Sequence, residues 1–308
     1  MSRPLPTTTY IPVVLSSGNA AKDACVRREK GGLNRVEPNT IYNMDCLEGM
    51  KLMADASVDM ILCDLPYGTT ACPWDAVIPF EPLWEAYKRI IKPNGAIVLT
   101  ASQPFTTALI ASNMTWFKYC WVWEKNRVGG IFNAKNMPLK SHEDIVVFSD
   151  GTTANGSDSR MPYYPQGLIE TNRVGTNRKR SGKDTIGNRP SRSGHYVQTA
   201  TGYPRTVLQF DSECGLHPTQ KPVPLFEYLI RTYTNPGELV LDNCMGSGTT
   251  AVACINTGRD YIGFELDSEY YVKAHERISN HQQRETMPIV LPSIIPPPRM
   301  ASLESLFE

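Results

Sequence analysis

Val58-Asp59-Met60-Ile61-Leu62-Cys63-Asp64-Leu65-Pro66-Tyr67-Gly68 decides the fold. The apolar run Val58 to Cys63 reads as a short buried strand. Asp64 stands just past its end, where open α/β sheets bind ligands. Pro66 has a fixed φ and no N–H, which leaves the carbonyls before it free to accept. Tyr67 adds a flat ring beside them. A carboxylate, an outward carbonyl and an aromatic plate together suit a planar ring bearing an exocyclic amine. Five residues also suit an ordinary strand-and-turn with Asp64 as a turn residue, so the rest of the chain must decide.

Outward from that stretch, strands alternate with helices. Strands are expected at Ile41–Met44, Val58–Cys63, Ala96–Ala101, Phe117–Trp123, Ile145–Phe148, Leu239–Asp242 and Tyr261–Glu265. Helices are expected at Leu47–Lys51, capped by Asp45, and from Pro82 to Ile91 on the face Leu83, Trp84, Tyr87, Ile90 and Ile91. Others are expected at Gln103–Asn113, through Leu225, Tyr228, Leu229 and Thr232, at Thr249–Asn256 and from Asp267 to Ile278. Glu124 to Glu143 is rich in Asn, Gly and Lys and reads as loop. This order predicts an α/β fold with a doubly wound, mostly parallel sheet of seven strands.

The 308 residues are 41% apolar, enough for a real core. Basic and acidic residues number 31 each, so only local clustering can argue for a polyanionic partner. One cluster exists. Gly151 to Phe210 holds nine Lys and Arg against three acids, with Tyr163, Tyr164, His195, Tyr196 and Tyr203 interleaved. A solvated insertion and a phosphate-contacting surface both fit that texture. No apolar run is long enough to cross a bilayer, and the first residues lack the apolar stretch of a signal peptide. Eight cysteines are scattered without a C-x-x-C pair. They read as small core residues in a reducing compartment, and no metal site is expected.

The second chemical centre is the strand ending at Asp242, followed by Gly246-Ser247-Gly248 and a helix. Glycines there let a ligand approach the backbone, and the helix start offers free N–H groups. Glu265, ending the next strand 17 residues past Gly248, is placed for ribose hydroxyls. Gly246 to Ala251 matches G-x-G-x-x-A, so a nicotinamide dinucleotide and S-adenosylmethionine are both candidates. An acid at the turn is awkward for a pyrophosphate and comfortable for an ammonium or sulfonium.

With both centres in view, the chain resembles the DNA amino-methyltransferases in their permuted β-type arrangement, in which the catalytic half precedes the cofactor half. The matching motifs are Asp64-Leu65-Pro66-Tyr67-Gly68, Leu241 through Thr250, Gly263-Phe264-Glu265-Leu266-Asp267 and His217-Pro218-Thr219-Gln220-Lys221-Pro222. Their order from about residue 40 to about 280 is far more specific than any one of them. Two positions depart from the family pattern. Leu65 replaces the first proline of the Asp-Pro-Pro-Tyr loop, and Cys244 replaces the usual phenylalanine, which leaves that edge of the cofactor pocket roomier.

The resemblance implies a Rossmann-like, circularly permuted methyltransferase fold that uses S-adenosylmethionine and flips its target nucleotide out of double-stranded DNA. It assigns catalysis to Asp64, Leu65, Pro66 and Tyr67. Cofactor binding falls to Asp45, Thr219, Lys221, Asp242, Cys244, Gly246, Ser247, Gly248, Thr249, Thr250, Glu265 and Leu266. Asp45 would lie near the adenine of the cofactor. The 217–222 segment would close over its methionine end. The implied division is an N-terminal extension (1–38), a catalytic half (39–150), a basic target-recognition insert (151–212), a cofactor half (213–282) and a tail (283–308). Arg173, Arg178, Lys179, Arg180, Lys183, Arg189 and Arg192 are the DNA-binding candidates. Aspartate at the head of the loop points to adenine-N6 over cytosine-N4. Rival readings are an RNA methyltransferase, an NAD-dependent dehydrogenase and a non-catalytic DNA-binding module. A cytoplasmic location follows, with room for a homodimer and a cognate restriction endonuclease.

Overall fold

The computed structural model describes residues 36–70, 72, 75–177, 194–213 and 220–286. Most of the N-terminal extension, the tail beyond 286, Thr219, Arg178, Lys179, Arg180, Lys183, Arg189 and Arg192 lie outside the described residues. In chain order the strands are β1 (Thr40–Asn43), β2 (Val58–Asp64), β3 (Ile91–Ala101), β4 (Phe117–Gly129), β5 (Lys140–Phe148), β6 (Ile169–Asn177), β7 (Gly194–Thr201), β8 (Val207–Gln209), β9 (Leu239–Asp242) and β10 (Asp260–Glu265). The helices are α1 (Cys46–Lys51), α2 (Phe80–Ile90), α3 (Phe105–Ser112), α4 (Val223–Tyr233), α5 (Thr249–Thr257) and α6 (Ser268–Thr286).

Eight strands form one sheet in the order β1-β10-β9-β2-β3-β5-β4-β8. Only β5 runs against its neighbours. Strand alternation divides the core cleanly. Ile61, Cys63, Ile97 and Leu99 face α1, α2 and α3. Met60, Leu62, Ala96 and Val98 face α4, α5 and α6. Each helix buries an apolar stripe on its side, such as Leu83, Trp84, Tyr87 and Ile90 of α2.

All seven expected strands are present, and β8 adds an eighth at the edge, paired with β4 through Val122↔Val207. Three residues in a polar stretch carry too little period to announce a strand. The expected 124–143 loop needs correction. β4 continues to Gly129 and β5 starts at Lys140, paired through Glu124↔His142 and Gly129↔Lys140. Beyond the layers both faces of this hairpin meet solvent, so no polar/apolar alternation marks it. Between β5 and β8, β6 and β7 pair only with each other as an antiparallel ribbon.

The strand order places the site. β2 leads through α2 to β3 on one side, while β9 leads through α5 to β10 on the other. β2 and β9 are themselves parallel neighbours, with Met60↔Val240 and Ile61↔Leu241 in register. Their shared end is the point where the winding reverses, the crevice in which doubly wound sheets bind ligands.

Candidate active site

Asp64 closes β2 with its side chain on the α4 face, a quarter exposed. Its Oδ1 accepts from the Tyr67 hydroxyl at 2.7 Å and from the Thr100 hydroxyl on β3. Its Oδ2 accepts from Lys221 Nζ at 2.6 Å. Tyr67 is held from two sides. Its ring stacks on Phe105 of α3, centroids 5.2 Å apart, and Lys221 Nζ lies 5.5 Å from the ring centroid. Burial, then the adjacent Asp64 charge, pushes the Tyr67 phenol well above its ordinary value, so it stays a neutral donor.

The loop after Pro66 is organised by a residue that carries no sequence signal. Asp75 is buried, and its carboxylate collects the N–H groups of Tyr67 (2.7 Å), Gly68 (2.9 Å), Thr69 (2.9 Å) and Thr70 (2.7 Å). Burial works to raise its pKa, but these bonds and the Thr70 side chain bring it below the ordinary value. Gly68 takes φ +66°, and a Cβ there would meet Val77 Cγ2 at 2.8 Å.

Across the switch point, Asp242 ends β9 almost fully buried. One carboxylate oxygen accepts from Cys244 N–H at 3.0 Å and the other from the Thr250 hydroxyl. Burial raises its pKa to about 6, with the Thr250 and Cys244 bonds working the other way. Gly248 stands at φ +82° as the first half-turn of α5, its α-carbon side close to Ala274 of α6. Glu265, ending β10, accepts Gly246 N–H at 2.7 Å and Asp267 N–H at 2.8 Å, which fixes the turn against the next strand. Burial raises its pKa too. Asp45 caps α1 through Leu47 N–H (2.9 Å) and Glu48 N–H (3.1 Å).

These two corners open onto one cavity of about 520 Å³. Its walls include Asp64, Leu65, Pro66 and Tyr67 together with Asp45, Lys221, Asp242, Cys244, Gly246, Ser247, Thr249, Thr250, Glu265 and Leu266. Gly248 shapes the turn from behind. Thr100, Asp75 and Glu143 are contributors that the sequence reading missed. Trp121 and Trp123 are core, their indole N–H groups given to Tyr233 Oη (2.7 Å) and the Phe210 carbonyl (2.9 Å). Of the DNA-binding candidates, Arg173 is described, exposed on β6 and away from this cavity. A larger cavity of about 730 Å³ lies against Tyr119, Trp121, Arg160 and Tyr163, without any of the chemical residues above. Among the described residues no group of three His, Cys, Asp or Glu side chains is placed for a metal ion, and no helix is long and apolar enough to cross a membrane.

A cavity at the winding reversal, with an acid-and-ring corner facing a glycine turn, fits a methyltransferase of Rossmann-like fold. The profile of the DNA methylase family matches residues 58–276, and the chain belongs to that family. It is thus an S-adenosylmethionine-dependent DNA methyltransferase. It is 27% identical over 256 residues to the Type II methyltransferase M1.MboII of Moraxella bovis, covering 78% of this chain and 96% of that one. Identity to the DNA adenine methyltransferase YhdJ of Escherichia coli K12 is 28% over 277 residues, covering 82% and 87%. Among solved structures, the M1.HpyAVI–SAM complex superposes with a TM-score of 0.51 at 25% identity, covering 77% of this chain and 98% of that one. The cytosine-N4-specific PvuII methyltransferase gives 0.53 at 14% identity over 81% and 93%, a likeness of fold.

Proposed function

We propose that this methyltransferase acts on the exocyclic N6 amine of an adenine flipped out of double-stranded DNA, with Asp64 as the acceptor that activates the amine. The observation that carries the reading is the shared cavity, with Asp64 on one wall and the Asp242–Gly246 turn on the other. The kinship with a DNA adenine methyltransferase supports the choice of base.

The residues present suit S-adenosylmethionine. Asp242, Asp45 and Glu265 are acids for its cationic and hydroxyl groups, and the turn is bare of side chain at Gly246. Bound there, it supplies an electrophilic methyl group. The amine lone pair of adenine is delocalised into the ring and is a poor nucleophile. Asp64 and the Leu65 carbonyl accept its two hydrogens, draw it toward tetrahedral geometry and free the lone pair. As the new N–C bond forms and the S–C bond breaks, the nitrogen becomes positive, and Asp64 is the near base for the proton it then sheds. The pinned ring of Tyr67 offers an edge of the base site. Positioning and fixed electrostatics carry the rate. The 151–212 segment, with the β6–β7 ribbon, serves as the target-recognition insert between the catalytic and cofactor halves. Kinship with Type II methyltransferases favours a modification role beside a restriction endonuclease.

Incubation with tritiated S-adenosylmethionine and, in separate arms, duplex DNA and RNA, then nucleoside mass spectrometry, tests the assignment. N6-methyladenine is expected. N4-methylcytosine alone would overturn the choice of base, and label only in RNA would overturn the choice of polymer.

A further inference from the structure

Asp64 of β2, Thr100 of β3 and Glu143 of β5 share the α4 face at the rim of the sheet, since Asp64 pairs with Thr100 and Thr100 with Ile145. Lys221, two residues before α4, is driven into that row with its side chain only 4% exposed. Its Nζ lies 2.6 Å from Asp64 Oδ2 and 3.2 Å from Glu143 Oε2. The other Glu143 oxygen takes Lys125 Nζ at 2.7 Å. The result is an alternating chain, Lys125–Glu143–Lys221–Asp64, whose Lys221 and Asp64 end lies in the wall of the cavity. A lone ammonium so buried would be strongly disfavoured, whereas one flanked by two carboxylates is held. Burial works to discharge Lys221, and the Asp64 and Glu143 charges outweigh it.

We propose that Lys221, fixed by Glu143, is a positioning residue for methyl transfer. It pins one oxygen of Asp64 so that the carboxylate meets the target amine in one orientation, a role distinct from gripping the cofactor. The inference rests on the methyltransferase reading of Asp64. The test measures S-adenosylmethionine affinity by calorimetry and the single-turnover rate at saturating cofactor and DNA. Lys221→Met is expected to slow transfer about 100-fold while changing cofactor affinity no more than about two-fold. Lys221→Arg should restore part of the rate. Lys221→Met with Glu143→Gln removes the buried acid that Lys221→Met leaves with Lys125 as its ion-pair partner. It should be no slower than Lys221→Met alone, because Glu143 acts through Lys221. Weakened cofactor binding with a wild-type saturated rate would overturn the proposal and make Lys221 a cofactor ligand. A wild-type protein that transfers no methyl group would instead sink the reading of Asp64 itself.

An independent observation concerns the hairpin that β4 and β5 extend past the same rim. Its tip, Ile131–Asn133, is an ordered turn closed by Asn133 N–H to the Gly130 carbonyl at 2.9 Å and Met137 N–H to the Asn133 carbonyl at 3.0 Å. That turn presents Phe132 wholly to solvent, with Ile131 67% exposed beside it. Lys135 and Lys140 flank the tip, and Lys140 reaches back to the Gln103 carbonyl at 3.3 Å, just past β3. A phenyl ring held in water by an ordered, basic-flanked turn is placed to enter an apolar slot in a polyanion. A duplex from which one nucleotide has swung out offers that slot.

We infer that Phe132 is the wedge that fills the vacated stack, an inference that also rests on the DNA reading. Once the methylated site is mapped, 2-aminopurine at the target position reports flipping by its fluorescence. Phe132→Ala should lower the fluorescence gain on binding and slow transfer about tenfold on paired DNA. A mismatch opposite the target should recover most of that loss, and Phe132→Trp should keep activity. Equal losses on paired and mismatched DNA, or no loss on either, would overturn the wedge. Transfer by the wild type on the same DNA keeps the underlying reading separate.

Discussion

The crevice between β2 and β9 and the ribbon of β6 and β7 are built on opposite plans. In the crevice the chemical side chains are pinned by hydrogen bonds, Asp64 by Tyr67, Thr100 and Lys221, and Asp242 by Cys244 and Thr250. The ribbon pairs only with itself and leaves Ile169, Val174, Tyr196 and Val197 exposed. A two-stranded ribbon is marginal by itself. A transfer reaction needs its acceptor fixed to a fraction of an ångström, whereas a surface that reads DNA can complete its order on the duplex. Substitutions in the crevice should therefore act on rate, and substitutions in the insert on DNA affinity.

The largest expected effect is at Asp64. Asp64→Ala should lower single-turnover methyl transfer by roughly 1000-fold or more, with cofactor affinity by calorimetry nearly unchanged. Lost cofactor binding would give Asp64 a different role. Asp75→Ala comes next and asks whether the loop must be pre-formed. It strands four N–H groups that now share one carboxylate. A loss of about 2 kcal/mol in urea unfolding and a rate loss of about 30-fold are expected. Its folded pKa is depressed, so its contribution is present above the ordinary carboxylate pKa and is lost as pH falls through the folded value. Acid should therefore disorder the loop in the wild type and change little in Asp75→Ala, as a fluorophore attached near Thr70 would read.

How much of this was legible beforehand divides along the same lines. The seven strands, the Asp64 loop and the Gly246–Gly248 turn were readable because each is a local signal, an apolar run of strand length or a glycine whose φ is positive. Strand alternation even carried the face of Asp64, since Met60 and Leu62 share it. What could not be read is the order of the strands. Thr100 is one more residue of the run Ile97-Val98-Leu99-Thr100 until β3 lies beside β2. Glu143 sits in a stretch without period until β5 turns back between β3 and β4. Lys221 looks like a helix-start residue until α4 brings it across 157 positions of chain to Asp64. Asp75 lies in an irregular segment whose hydrogen bonds follow no repeat.

The insert can be tested by charge alone. Neutralising Arg178, Lys179 and Arg180 together should weaken DNA binding about 20-fold near 0.1 M salt and lower the salt slope by up to about 3. The cofactor affinity and the rate at saturating DNA should stay as they are. An unchanged slope would mark the cluster as solvated surface and leave recognition to other parts of the chain.

The mildest effect sharpens the contrast most, because it uses no change of shape. Asp242 titrates near pH 6, raised chiefly by burial. About a tenth of such carboxylates are ionised at pH 5 and about nine tenths at pH 7. The α-ammonium and carboxylate of S-adenosylmethionine keep their charges across that window. A cationic ligand drawn to the ionised form should therefore bind about tenfold tighter at pH 7 than at pH 5, releasing a proton on the acid side. Folding must show the opposite trend. A carboxyl whose folded pKa exceeds its unfolded value near 3.8 favours the fold when protonated. That contribution is fully present below the unfolded value and fades as pH rises through about 6, by roughly 3 kcal/mol at most. Calorimetry and urea unfolding between pH 5 and 7 should diverge in the wild type, and Asp242→Asn should flatten both. A pH dependence of cofactor binding that survived Asp242→Asn would place the cation elsewhere in the cavity, at Asp45 or Glu265.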